Sequence, residues 1–222
     1  MKTTLFLVMI ALIALFILSN SSPQVINRSF AENFAFDEKD QEIDRTGIYD
    51  FSRGNSFIGF RIRHNGLIEV PGFFRDFTGK INYDAKDIVK SSVEFTAKMT
   101  SVDTGVAGRD NHLRNADFFD VEKYPEMTFK STKVEKKGKD LIITGDFTMK
   151  GVTRQVSFPF QIVGFTPVNE SSGGTMGVAA ETIINRRDFG INWDNKLPNG
   201  ALNVSEEVKV NLQIEATRSK AQ

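Results

Sequence analysis

The stretch DLIITGDFTMKGVTRQVSFPFQIVGF, residues 140–165, decides the fold. In its first half Leu141, Ile143, Phe147 and Met149 alternate with Thr144, Asp146 and Thr148. In its second half Val156, Phe158, Phe160 and Ile162 alternate with Gln155, Ser157, Pro159 and Gln161. A period of two sends every apolar side chain to one face, which is the pattern of an antiparallel strand buried on one side. A break containing glycine separates the two runs, as a hairpin requires. Pro159 cannot donate to a ladder, so its strand is expected to have a free edge or a bulge there.

The same alternation recurs on both sides of this hairpin. Ile58, Phe60 and Ile62 share a face, with Arg61 and Arg63 on the other. Val93, Phe95, Ala97 and Met99 alternate with Glu94, Thr96 and Lys98, and Val208, Val210, Leu212 and Ile214 with Lys209, Asn211, Gln213 and Glu215. About eight such strands are expected, with one short helix over Arg109–Ala116. Without helices to cover it, a sheet must pack its apolar faces together or close on itself, and closure also removes exposed edges. The expected fold is therefore all-β: an extended antiparallel eight-stranded β-barrel with a short helix/loop plug. Charged residues repeat at the outward positions, which argues against a barrel facing lipid.

The chain has 222 residues, with 28 basic and 28 acidic side chains. That balance lacks the positive field of a nucleic-acid binder. There is no cysteine, so disulfides, cysteine catalysis and thiolate metal sites are excluded. The aromatics are lopsided, with 20 Phe against 3 Tyr and 1 Trp. Phe has no polar handle, so this composition suits either an ordinary core or an interior lined for an apolar ligand.

At the N-terminus, Lys2 precedes an apolar run from Leu5 to Leu18, and the small residues Ser19 and Ser21 follow. The run has the length of a signal-peptide core and falls short of the ~20 residues that span a bilayer comfortably. Residues 1–21 are read as a signal peptide, or alternatively as an N-terminal anchor. Residues 22–45 are read as a polar arm, 46–217 as the barrel and 218–222 as a tail. The protein is accordingly expected to be exported, periplasmic or secreted, or anchored facing outside the cytoplasm with its N-terminus on the membrane. The sequence leaves a homodimer open.

The order of motifs is NSFIGFRIRHNG, VPGFFRDFTGKINYD, SVDTG, RDNHLRNADFFDVEKYPEMTFKS, GDFTMKGVTRQV and INRRDFGINW. This order closely resembles the YceI-like, polyisoprenoid-binding family over about residues 46–217. The most specific piece comprises Arg109, Asp110, His112, Leu113, Asp117–Asp120, Tyr124, Pro125, Phe129 and Ser131. The resemblance implies a lipocalin-like barrel that holds a long isoprenoid chain in a central tunnel, with no catalytic signature. One departure is visible: Asn55-Ser56 stands where many members carry His-Ser.

Alternation and resemblance together nominate the tunnel lining: Phe60, Ile62, Val93, Phe95, Phe129, Phe147, Phe158, Phe160, Val178 and Ile184, together with Phe74 and Phe77 from FFRDFTG, where the alternation breaks. His64, Arg109 and His112 are candidates for a ligand's polar head. In residues 108–125, GRDNHLRNADFFDVEKYP, the short helix and the Phe118-Phe119 wedge are read as a plug for one end of the barrel. Arg109 or Arg114 is expected to pair with a carboxylate. INRRDFGINW is read as a strand end with a salt bridge and Phe189 in the core. No HExxH, GxSxG or P-loop motif surrounds the two histidines. The leading expectation is a non-enzymatic carrier of a quinone or polyprenyl lipid, with no cofactor and no metal. The alternatives are an exported structural or stress-linked barrel without a lipid, and a lipid-modifying hydrolase or isomerase using His64 or His112.

Overall fold

The computed structural model describes residues 44–167 and 173–219. The segments read above as signal peptide and arm lie outside the described residues, apart from residues 44 and 45. Period-two segments become strands throughout: β1 (Gly47–Phe51), β2 (Phe57–His64), β3 (Ile68–Phe74), β4 (Phe77–Tyr83), β5 (Ser92–Lys98), β6 (Val102–Asp103), β7 (Glu126–Lys137), β8 (Asp140–Met149), β9 (Val152–Phe165), β10 (Thr175–Asn185) and β11 (Val204–Arg218). Every pairing is antiparallel.

These segments make eight staves, because three staves are broken. β1 and β2 both lie along β11, at Phe51↔Ala216 and Phe57↔Gln213, with a 3-10 turn at Arg53–Asn55 between them. β3 and β4 continue one another past Arg75 and Asp76, and β5 and β6 past a 3-10 turn at Met99–Ser101. Hydrogen bonds cross these breaks: Ser52 N–H to Glu215 O at 2.7 Å, Lys98 N–H to Asp76 O at 2.8 Å and Arg75 N–H to Ser101 O at 3.1 Å. These bonds pair backbone groups where each stave bends. The broken alternation in FFRDFTG is this bend, and it lets Phe74 and Phe77, three residues apart, both become buried. Pairing of β1 with β11 closes the ring into an eight-stranded barrel.

β9 pairs with β10 only from Phe160, opposite Ala180, onward. Pro159 stands one residue before that ladder, where β9 has a free edge, so its missing N–H costs no bond. The Arg186–Phe189 turn approaches this edge, with Arg154 Nε donating to Asp188 O at 3.2 Å. At the β8–β9 connection Lys150 and Gly151 both have positive φ, 49° and 74°, the geometry of a tight hairpin turn.

The helix α1 (Ala107–Arg114) starts and ends two residues earlier than the sequence suggests. Asp110 is the cause at its start. Its buried carboxylate accepts the Thr104 N–H at 2.9 Å and the Thr104 hydroxyl, which pulls the preceding residues into the first turn. At the other end Asn115 is extended (φ −72°, ψ 171°) and its carbonyl accepts from Phe118 and Asp120 N–H. This tight turn throws Phe118 and Phe119 into the barrel, where both are buried. Replacing Asp110 by Ala leaves the half-buried Thr104 N–H without its partner. A loss of about 1–3 kcal/mol is expected, measured as the change in denaturant midpoint at constant slope.

Candidate functional site

The barrel has two unlike ends. The β2–β3, β8–β9 and β10–β11 connections and α1 gather at one end, the mouth; the β4–β5 and β7–β8 connections and the start of β1 gather at the other. Tyr49, Tyr83 and Phe165 close that deep end with edge-on and tilted ring contacts, and the Arg45 guanidinium lies 4.6 Å from the Phe165 ring centre. The Tyr49 hydroxyl donates to Arg45 O at 2.7 Å.

Between the ends the lumen is hollow. A cavity of about 280 Å³ occupies the mouth half and one of about 80 Å³ the deep half. Phe60, Ile62, Phe74, Phe147 and Ile184 line the larger cavity. Val93, Phe160 and Val178 line the smaller one. Phe95, Phe129 and Phe158 line both, as do Ile58 and Leu212. These five form a waist: Phe95 stacks on Phe129 at 5.9 Å, and Phe129 meets Phe158 at 5.7 Å. Phe77 is the exception among the residues nominated from sequence. It lines neither cavity and is part of the main apolar core, 4% exposed.

Why a barrel so rich in Phe stays hollow follows from three glycines. A Cβ on Gly72 would collide with the Phe60 ring, one on Gly79 with Phe51, and one on Gly145 with Phe129. Gly72 is the direct cross-strand partner of Phe60. Each ring therefore lies flat over a bare stretch of wall instead of projecting to the axis. Larger side chains at these positions would push the rings into the lumen, which close packing would then fill.

The polar side chains collect at the mouth. His64, Thr104, Arg109, His112, Trp193 and Asn203 all line the larger cavity. The His112 ring sits edge-on to Phe118 at 5.0 Å and to Trp193 at 5.8 Å, and its Nε2 is 3.0 Å from an Asp117 carboxylate oxygen. Arg109 donates from Nε to the Thr104 hydroxyl at 2.7 Å and from Nη2 to Thr104 O at 2.8 Å. The carboxylate partner expected for the plug arginines is not what they use. Arg109 binds Thr104, and Arg114 donates to Thr100 O and Val102 O, each at 2.9 Å, and to the Asn111 side chain. Carbonyls at a strand end need donors, and a guanidinium can serve several at once.

The second Arg-rich segment holds a carbonyl clamp beside an ion pair. Arg186 is 3% exposed and donates to three carbonyls: Ile191 at 2.6 Å, Ser205 at 3.0 Å and Val204 at 3.5 Å. Burial pulls its guanidinium below its ordinary value, although an arginine stays protonated. The salt bridge expected in this segment is made by Arg187, with Glu206 at 2.7 Å and Asp194 at 3.4 Å. Phe189 is in the core as read from the sequence.

Sequence reasoning passed over Trp193, although a lone tryptophan between two loops was a signal. It also missed Arg186 as a lining residue. Asn55 is exposed and donates to the Glu215 side chain at 2.7 Å, and it lines neither cavity, so the departure from His-Ser falls away from the lumen. Among the described residues no cluster of three or more His, Asp or Glu is arranged to hold a metal.

Comparison with known proteins agrees with this architecture. Residues 49–216 match the model of the YceI-like domain. Protein YceI of Escherichia coli O17:K52:H18 is 38% identical over 181 residues, covering 82% of this chain and 88% of that protein. The crystal structure of the Campylobacter jejuni YCEI protein superimposes with a TM-score of 0.61 at 29% identity, covering 72% of this chain and 91% of that one. A polyisoprenoid binding domain from Saccharophagus degradans, implicated in plant cell wall breakdown, has the same fold, with a TM-score of 0.58 at 16% identity over 77% of this chain and 98% of that one.

Proposed function

The chain belongs to the YceI-like family, and from that premise we propose that it is a non-enzymatic exported binding protein holding a long-chain isoprenoid lipid, of quinone or polyprenyl type, along its barrel axis. The observation that carries this reading is the pair of aligned apolar cavities kept open by Phe rings lying over Gly72, Gly79 and Gly145. A slim, branched hydrocarbon suits such a lumen. Each methylene it buries contributes about 0.8 kcal/mol, so a few isoprene units suffice for micromolar binding after association costs. The head group then sits at the mouth, within reach of His64, Arg109, His112 and Asn203, while the tail passes the Phe129 waist. The Saccharophagus domain, described as polyisoprenoid-binding, supports the ligand class. Export to the periplasm or beyond rests on the N-terminal apolar run, Leu5 to Leu18.

Trp193 lines the larger cavity and is the chain's one tryptophan, so its fluorescence reports occupancy. Titration with a soluble quinone carrying a ten-carbon tail is expected to quench it with a Kd of about 1–10 μM. Mass spectrometry of the organic extract of the purified full chain is expected to show one dominant isoprenoid near one equivalent. No quenching together with a lipid-free extract would leave a barrel without a lipid ligand. Turnover of a bound lipid that is lost in His64→Ala or His112→Ala, with binding kept, would replace the carrier reading with an enzymatic one.

A further inference from the structure

The larger cavity is not walled by a strand on every side. β6 pairs with β3 only at Phe73 and Phe74, opposite Asp103 and Val102. From Ile68 to Gly72 the outer edge of β3 carries no ladder, and the chain turns instead into α1. Pro71 stands in this stretch, a residue suited to an unpaired edge. The gap lies between the β3 residues Ile68 and Val70 on one side and Thr104, Arg109 and His112 on the other. All of these except Ile68 line the larger cavity.

The rim of this gap is apolar and exposed. Ile68 is in register with His64, on the lumen side of the sheet, yet it is 64% exposed. Leu67 beside it is 77% exposed, and Val106, just before α1, is 50% exposed. The hairpin tip is held firmly in this position. Asn65 and Gly66 both have positive φ, 53° and 72°. Leu67 N–H bonds to His64 O at 2.9 Å, and Asn65 N–H bonds to Asn203 O at 2.7 Å. The acid nearest the tip is compensated: Lys209, hydrogen-bonded to Glu69 at 2.5 Å, with Arg63 at 3.6 Å, holds its carboxyl below the usual carboxylate range. Arg109 borders the gap with no ion pair among the described residues.

Three apolar side chains are far too little surface for a stable protein partner, which needs roughly 1,000 Å². Apolar tips flanked by basic groups are what a bilayer interface accepts. Resting on the lipid-carrier reading, we infer that the Asn65–Ile68 tip and Val106 insert into the interface of a lipid bilayer. The isoprenoid then passes between membrane and larger cavity through the gap between β3 and α1 without crossing water.

Because the chain has no cysteine, Leu67→Cys in the full chain takes a single environment-sensitive NBD label. Vesicles of phosphatidylethanolamine and phosphatidylglycerol are expected to raise its emission about twofold or more with a blue shift, while a label on Lys139→Cys at the deep end stays unchanged. No change at position 67, or equal changes at both positions, would overturn the inference. In a second experiment, Leu67→Asp/Ile68→Asp is expected to keep Trp193 quenching by the ten-carbon quinone while slowing quinone transfer to the same vesicles about tenfold. Unaltered transfer with quenching kept would remove the docking inference alone. Absence of quenching in the wild-type protein would remove the carrier reading beneath it.

Discussion

Replacing Leu212 with Trp is expected to cut affinity for a long isoprenoid about 100-fold, while a short-chain analogue changes no more than about threefold. Leu212 lines both cavities, and its cross-strand partners are Ile58 on β2 and Ala180 on β10. Across the lumen stand Phe95, Phe129 and Phe158. An indole at this point closes the waist, so a ligand tail can occupy the mouth chamber only. Excluding one isoprene unit, five carbons, from the deep chamber forfeits about 4 kcal/mol gross. The chain no longer has to be ordered there, which returns about 1–2 kcal/mol and leaves a net loss near the 100-fold level. The short analogue never reached the waist and serves as the internal control. Isothermal titration of both ligands measures the contrast. Overpacking itself costs about 1–3 kcal/mol of stability, so a melting curve accompanies the titration. Equal weakening of both ligands would mean that the two chambers do not hold one continuous tail.

How far this site could be read from the chain follows from what each signal reports. Period-two alternation sorts residues to two faces, which is why the inward positions from Phe60 to Ile184 were identifiable. It says nothing about whether inward side chains meet at the axis or lie along the wall. That depends on cross-strand register, such as Phe60 opposite Gly72, and the two residues belong to different strands. The eight staves were countable because β1–β2, β3–β4 and β5–β6 bend without changing neighbours, although each bend breaks the pattern locally. Phe77 was nominated for the lining where alternation had already failed, and its ring belongs to the core instead. The plug arginines lack their expected carboxylate for a further reason. Sequence displays carboxylates as partners but hides backbone carbonyls, and Arg109, Arg114 and Arg186 all use carbonyls.

Arg186→Met is therefore expected to destabilise the protein by about 3 kcal/mol, whereas Arg187→Met costs about 1 kcal/mol or less. A count of ion pairs predicts the reverse, since Arg187 has two carboxylate partners and Arg186 has none among the described residues. Exposure decides between the two. The Arg187 side chain is 29% exposed and its partners Asp194 and Glu206 are 36% and 41% exposed, so water and salt screen both bridges. Arg186 is buried with the Ile191 carbonyl, and the Ser205 carbonyl is half-buried, so water is a poor substitute for its N–H groups. Methionine replaces the apolar stem as far as the position of Nε but donates nothing, so the loss is the desolvation cost of these carbonyls together with their charge-assisted bonds. Lysine has three donors on a single atom and cannot span acceptors that diverge as these do, so Arg186→Lys is expected to recover less than half of the loss. For a domain of this size 3 kcal/mol corresponds to a fall of about 6–12 °C in melting temperature, which calorimetry resolves easily. The same clamp holds Ile191 and Val204 against the larger cavity, so loosened Trp193 emission in the folded Arg186→Met variant would tie the stability of the loop to the shape of the mouth.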